Sequence, residues 1–355
     1  MLVTIAVVMA VTTIACSIGL DRPLRDTEGF LGSAYLRLPL LITGAFVADV
    51  LPRMFLRGRR QVRSYPGHVR DVFRERWDRE RWKLVVIGLA SFYVTYISYR
   101  NLKNFLPFVM SEDGEPKTYD RALQRMDRWL FFGHDPSTVL HQVLGTSITA
   151  HVLSFVYVLF LPMVPLSVAI WAVWSRRTSF GYWFITAQCI CWLLGTVSYY
   201  ALPTLGPAFE FSWLYTDLPN TTVSRLQDSL INDRTDIRFD RLADGVQSVA
   251  GFASLHVGIT VTLALVGHYT LRTKAYRVTL WVYAGLTVLA TSYFGWHYLA
   301  DDVAGLAIAL VAVYLAGWGT GQTFDRTWLK EPLPADPEDS VTAEPAGDKV
   351  GALSD

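Results

Sequence analysis

Eight apolar runs, each close to 20 residues or somewhat longer, set the first limit on what this chain can become. They lie at about 2–20, 33–51, 84–108, 149–174, 180–202, 252–271, 278–296 and 300–320. About 20 helical residues cross the roughly 30 Å hydrocarbon core of a bilayer. Lipid offers no partner to backbone N–H and C=O groups, so a segment there must satisfy them internally, as a helix does. The runs predict an all-α, polytopic membrane helical bundle, for which soluble-domain counting has no meaning. A hydrophobic share of 52% is what such a bundle needs.

Charge then orients the bundle. The net charge of +1 hides a cluster between the second and third runs: Arg53, Arg57, Arg59, Arg60, Arg63, Arg70, Arg74, Arg76, Arg79, Arg81 and Lys83. Such clusters mark the cytoplasmic side. Arg176-Arg177 and the group Arg272, Lys274, Arg277 fall on that same side if eight spans alternate with both termini cytoplasmic. Loops 111–148 and 203–250 and the 297–301 turn then face outward, in the cell membrane. The basic segment 53–83 is expected to anchor on anionic headgroups, with no role in nucleic-acid binding. The expected organisation is two N-terminal transmembrane helices (1–52), the basic cytoplasmic segment (53–83), a membrane core (84–322) and a Pro-, Ala- and acid-rich disordered cytoplasmic tail (323–355). Run 2–20 lacks a basic start and a small-residue cleavage site, so it is read as an uncleaved span. Cys16, Cys189 and Cys191 all sit in apolar runs, with neither disulfide nor metal-ligand spacing.

Segment 119–130 is too polar to span. Leu123, Met126 and Leu130 share one helical face, which predicts an amphipathic helix on the outer interface.

Two histidines carry the chemistry. His256 opens the 252–271 region within Ala253-Ser254-Leu255-His256, and His297 precedes the last run within Trp296-His297-Tyr298-Leu299-Ala300-Asp301. In a helix His297 and Asp301 are one turn apart, so the carboxylate can reach the ring. A neutral imidazole is a good nucleophile toward phosphorus near neutral pH. A carboxylate on its other nitrogen fixes the tautomer, and a second histidine can move the proton of the leaving or entering oxygen. Ionisable groups set among apolar spans point to function by default. Arg100 and Lys103, three apart on one face at the end of the third run, are candidates for a phosphate clamp; snorkelling to headgroups is the alternative use. The scheme needs no metal and no cofactor.

These residues resemble the type 2 phosphatidic acid phosphatase superfamily, and within it the branch of fungal inositol phosphorylceramide synthase and its bacterial relatives. Ala253-Ser254-Leu255-His256 is similar to the family's Pro-Ser-x-His motif, with Ala for Pro. His297 and Asp301 match its His-x-x-x-Asp. Asp127-Arg128-Trp129-Leu130-Phe131-Phe132-Gly133 looks like its Asp-x-x-Leu-Phe-Gly stretch with one extra residue, and Pro203–Pro207 aligns loosely with its first motif. Phosphatase members carry Arg six residues before the nucleophilic His, where this chain has Thr291, and the first-motif Arg is also missing. The resemblance implies a six-helix phosphatase-like core, here with two added N-terminal helices. It implies His297 as the nucleophile forming a phosphohistidine, Asp301 as its orienting group, His256 as the proton donor and Ser254 beside Arg100 and Lys103 in phosphate binding.

The expected function is a membrane phosphotransferase moving a phospho-alcohol, such as inositol phosphate, between lipid-linked substrates at the extracytoplasmic face. Water as acceptor would make it a lipid phosphate phosphatase. A lipid-phosphate-binding transporter is the reading from another class. The partner is a membrane lipid substrate; the sequence does not fix the oligomeric state.

Overall fold

The computed structural model describes residues 1–25, 34–58, 77–109, 111–112, 115–116, 118–239 and 251–330. Every predicted run is a helix. In chain order these are α1 (Leu2–Gly19), α2 (Ala34–Gly58), α3 (Arg79–Val109), α4 (Asp120–Leu130), α5 (Pro136–Leu144), α6 (Ile148–Trp174), α7 (Thr178–Ala201), the single turn α8 (Pro207–Glu210), α9 (Thr222–Phe239), α10 (Leu255–Thr270), α11 (Lys274–Tyr293) and α12 (Leu299–Gly319). Ser111–Glu112 and Glu115–Pro116 form a two-residue antiparallel ladder. Most of the basic segment, 59–76, and the tail from 331 lie outside the described residues.

Among the described residues, α1, α3, α6, α7 and α12 are long and apolar enough to cross a membrane, and Pro39–Leu51 and Leu255–Thr270 are shorter apolar helices. The chain is a multi-pass, all-α membrane protein. Outward apolar side chains such as Ile18, Phe155 and Trp318 are exposed, as a lipid-facing surface requires. Residues Met1–Thr323 form one compact unit. The described part of the second, from Phe324, contains a 3-10 turn at Thr327–Lys330.

Local chemistry sets the helix ends. Asp78 Oδ1 accepts the Arg81 N–H at 2.8 Å and starts α3. Arg81, buried, caps the far end of α6 by donating to the Ala172 and Ser175 carbonyls. Trp77 is buried, edge-on to Phe46 and tilted against Trp82, with its indole N–H donating to Asp49 Oδ2 at 3.3 Å. It ties α2 to the start of α3.

Helix α7 is the hub, packed on α3, α12 and α10, while α10 also packs on α11 and α12. Small residues allow the closest approach. A Cβ on Gly305 of α12 would strike the Ser254 carbonyl, and one on Gly258 of α10 would come within 3.3 Å of the Gly305 carbonyl. The two backbones meet at this crossing, and Ser254 N–H donates to the Asp301 carbonyl at 2.9 Å. The start of α10, carrying His256, is thereby joined to the start of α12, carrying Asp301.

Candidate active site

The two signature histidines converge. His256 lies in the first turn of α10, with its ring packed against Tyr157 at 4.6 Å and Phe160 at 4.4 Å, centroid to centroid. His297 sits in the linker between α11 and α12, and the two imidazole centroids are 5.7 Å apart.

Asp301 occupies the third position of α12. Its Oδ2 accepts the Tyr298 N–H at 2.9 Å and lies 3.4 Å from His297 Nδ1. The second contact is close but not aligned as a hydrogen bond, and Nδ1 has no other partner among the described residues. The arrangement arises because an acidic side chain at that position reaches back to the helix start. The carboxylate of Asp301 is wholly buried.

Three further anchors hold the His297 linker. Asp120, at the start of α4, accepts N–H bonds from Leu205 and Gly206 and the Tyr298 hydroxyl, all at 2.9 to 3.0 Å. Asp127, two turns along, accepts the Leu299 N–H through Oδ2 at 3.0 Å. Gly206 lies against the Trp296 carbonyl with φ +98°, where any Cβ would collide. The linker is thus clamped between α4 and the segment after α7. The sequence-based reading gave α4 an apolar contact face. In the structure its inward residues are Asp120 and Asp127, while Met126, Trp129 and Leu130 are exposed. The helix is amphipathic, but its buried side is a pair of carboxylates serving the site.

Lys103 lies among aromatic rings on the α3–α7 side of the histidine pair. Its Nζ lies 5.3 Å from the Tyr199 ring centroid and 5.9 Å from that of Tyr99. Its charge reaches the His297 ring and opposes protonation there. Arg100 is one step removed, with Nη1 3.4 Å from the Tyr96 hydroxyl. Among the described residues neither cation has a carboxylate partner.

Ser254 is wholly buried. Its hydroxyl caps α10 by accepting the Val257 N–H at 3.4 Å and bonds to Asp302, so it is occupied within the protein rather than free in the cleft. Asp302 is buried; the Ser292 hydroxyl donates to it at 3.2 Å, and the Thr291 hydroxyl, which donates to the Val288 carbonyl at 2.8 Å, lies 3.4 Å from it. Thr291 stands where the resembling phosphatases carry Arg, and its hydroxyl lies beside that carboxylate.

Burial pushes the His297 pKa down to about 4, with Lys103 adding to the fall, and Asp302 and the Gly251 backbone opposing it. Its ring is therefore neutral at physiological pH. Burial pushes Asp127 up to about 6, assisted by Asp301 and Asp135 and opposed by the Leu299 N–H. Among the described residues no group of three or more His, Cys, Asp or Glu could hold a metal ion.

Asp120, Asp127 and Asp302 were not singled out as site residues by sequence reasoning. Only the Asp127 motif pointed to one of them; the other two are carboxylates in polar contexts that look solvated until the fold buries them.

A family model described as PAP2 superfamily matches residues 121–315. Neither the curated proteins nor the solved structures gave a match.

Proposed function

The chain belongs to the PAP2 superfamily, and from that premise we propose a specific activity for this membrane phosphatase or phosphotransferase. It transfers a phospho-alcohol, such as inositol phosphate, between lipid-linked substrates at the extracytoplasmic face, as in the inositol phosphorylceramide synthase branch. The carrying observation is the grouping of His297 with Asp301 at 3.4 Å on one nitrogen and the His256 ring at 5.7 Å.

With Asp301 beside Nδ1, Nε2 is the attacking atom. It forms a bond to phosphorus as the bond to the leaving alkoxide breaks, and His256 supplies that oxygen's proton. Asp301 stabilises the positive ring that results. In the second half His256 takes the proton of the acceptor hydroxyl, whose oxygen displaces His297. Lys103 and Arg100 hold the phosphoryl oxygens, replacing the family arginines missing at Thr291 and Gly206. Ser254 acts indirectly in this reading, fixing α10 and Asp302. Residues 84–322 form the catalytic core, 1–52 its N-terminal addition, and both termini are cytoplasmic.

An apolar groove supports a lipid substrate. It is lined by Leu89, Phe92, Tyr96, Phe160, Val164 and Trp192, among others. Phe160 packs on His256 and Tyr96 meets Arg100, so a hydrocarbon chain in the groove ends beside both the clamp and the proton donor.

The test is to trap the enzyme with a phospholipid labelled at phosphorus. Acid-labile label on His297, transferred to a lipid hydroxyl on chase, is the expected result. Release to water alone would make the chain a phosphatase, and an absence of covalent label would remove the phosphohistidine.

A further inference from the structure

His256 differs from His297 in what surrounds its ring. Asp301 stands beside His297 Nδ1. Among the described residues the His256 ring has neither a carboxylate nor a hydrogen-bond partner, although its backbone carbonyl takes the Thr260 hydroxyl at 2.7 Å. What meets the ring is aromatic. Tyr157 lies at 4.6 Å and Phe160 at 4.4 Å, centroid to centroid, tilted from it by 31° and 46°. Three residues apart on α6, they share one helical face. Both are buried. Tyr157 also stacks on Trp296 at 5.1 Å and 11°, and Phe209 closes that column edge-on to Trp296 at 5.5 Å. Trp296 directly precedes His297. One tyrosine therefore touches the ring of one signature histidine and the chain neighbour of the other.

A general acid spends part of each turnover protonated. A charged imidazole among apolar helices is costly unless something offsets its charge. Aromatic faces do so through their quadrupole, most strongly where water is excluded. We propose that Tyr157 and Phe160 serve His256 in place of an acid: their faces steady the ring while it is protonated, and Tyr157, braced on Trp296, fixes its reach to the phosphorus at His297. They are positioning residues, since they act through His256. The proposal rests on the phosphotransfer reading and adds the groups that hold the proton donor. In the first half-reaction His297 Nε2 bonds to phosphorus as the bond to the leaving oxygen breaks. That oxygen keeps the bonding pair and takes the proton from His256, whose N–H pair returns to the ring. In the second half the acceptor hydroxyl gives His256 a proton as its oxygen displaces Nε2. An aromatic surround suits this alternation better than a carboxylate. A fixed acid would hold the proton tightest when it must leave, whereas a ring face packs on the neutral imidazole as well as on the charged one.

The experiment uses the full chain in lipid vesicles at saturating donor, because Phe160 also lines the apolar groove. Two phosphorus-labelled lipid phosphodiesters are compared, one losing an ordinary alkoxide and one losing p-nitrophenoxide, which needs no proton to depart. Tyr157→Leu and Phe160→Leu should each slow covalent labelling from the alkoxide donor about tenfold and slow the nitrophenoxide donor far less. Tyr157→Phe, which keeps the ring face, should restore most of the rate lost in Tyr157→Leu. In a His256→Ala background the leucine substitutions should cost nothing further with the alkoxide donor, because the group they serve is gone. If Tyr157→Leu does not fold, Phe160→Leu carries the comparison, since Phe160 stands outside the Trp296 column. Equal slowing with both donors would make the rings plain packing and overturn the proposal. So would a full leucine cost in the His256→Ala background, or a Tyr157→Phe variant as slow as Tyr157→Leu. A wild type that takes no label from either donor overturns the phosphohistidine reading itself, and that outcome is seen before any variant is made.

Discussion

The imidazole rings of His256 and His297 face one another at 5.7 Å between centroids, inclined by 57°. His256 comes from the first turn of α10 and His297 from the linker before α12, so the pair exists only in the folded bundle. Replacing His297 by Ala should abolish turnover and covalent labelling. Replacing His256 by Ala should slow transfer from an ordinary alkoxide leaving group by about 10²–10⁴-fold. A substrate with a very good leaving group should still label His297 in that variant, measured as the burst of released alcohol. Equal loss with both leaving groups would remove His256 from proton transfer.

Asp301 has two duties, toward His297 Nδ1 and toward the Tyr298 N–H. Asp301→Asn keeps an acceptor for the backbone but loses the charge beside the ring. It should fold with little change in Tm and lose roughly 10²–10⁴-fold in kcat. Asp301→Ala should also lose about 1 kcal/mol of helix-start stability. Comparing thermal unfolding with turnover for the two variants separates these duties.

Lys103 sits among the Tyr99 and Tyr199 rings with no carboxylate partner among the described residues, which makes its charge the feature to test. Lys103→Met retains much of the packing and should raise the donor KM by about tenfold or more, the loss of one or two charge-assisted bonds of roughly 1.5–3 kcal/mol each. Arg100→Met should have a smaller effect, because its recorded contact is with Tyr96. A reversed ranking in donor titrations would exchange their roles.

The Gly305 crossing with Ser254 has no room for a methyl group. Gly305→Ala should push α10 from α12 at the level of Asp301, costing about 1–3 kcal/mol of stability. Because His256 and His297 ride on those helix starts, kcat should fall well before the protein unfolds. Gly285→Ala, at a position open to space, is the matched control.

Two midpoints should appear in the pH profile. His297 titrates at about 4 and must be neutral to attack, so labelling should hold from pH 7 to about 5 and fall below that. Asp127, facing Asp301, Asp135 and the Leu299 N–H, titrates at about 6. Protonation weakens its hold on the Leu299 N–H, so turnover should fall in part as pH drops through that value while covalent labelling stays level. In Asp127→Asn the step near 6 should vanish and the one near 4 remain.

The helices were legible because length and apolarity are local properties. The predicted start at 278 became Lys274, and the predicted end at 296 became Tyr293, since Gly295 and its neighbours turn the chain. His256, His297 and Asp301 were legible as short motifs. Lys103 and Arg100 were legible only as an undivided pair, because which of them reaches the histidines depends on how α3 is rotated against α7 and α10. Asp120 and Asp302 were hidden for another reason. An acid near a helix start looks like a solvated dipole partner, and only tertiary packing turns it inward onto Tyr298 or onto Thr291 and Ser292.

The two carboxylates that grip the catalytic linker lie on a helix whose opposite side presents Trp129 and Leu130, with Phe132 just beyond. Those aromatics suit the depth at which headgroups meet acyl chains. In the proposed reaction the nucleophile would take its height from the water–lipid boundary as well as from the spanning bundle. Tilting or lifting that short helix would pull directly on Tyr298 and Leu299, so on the proposed reading bilayer thickness and headgroup packing would become inputs to the reaction geometry.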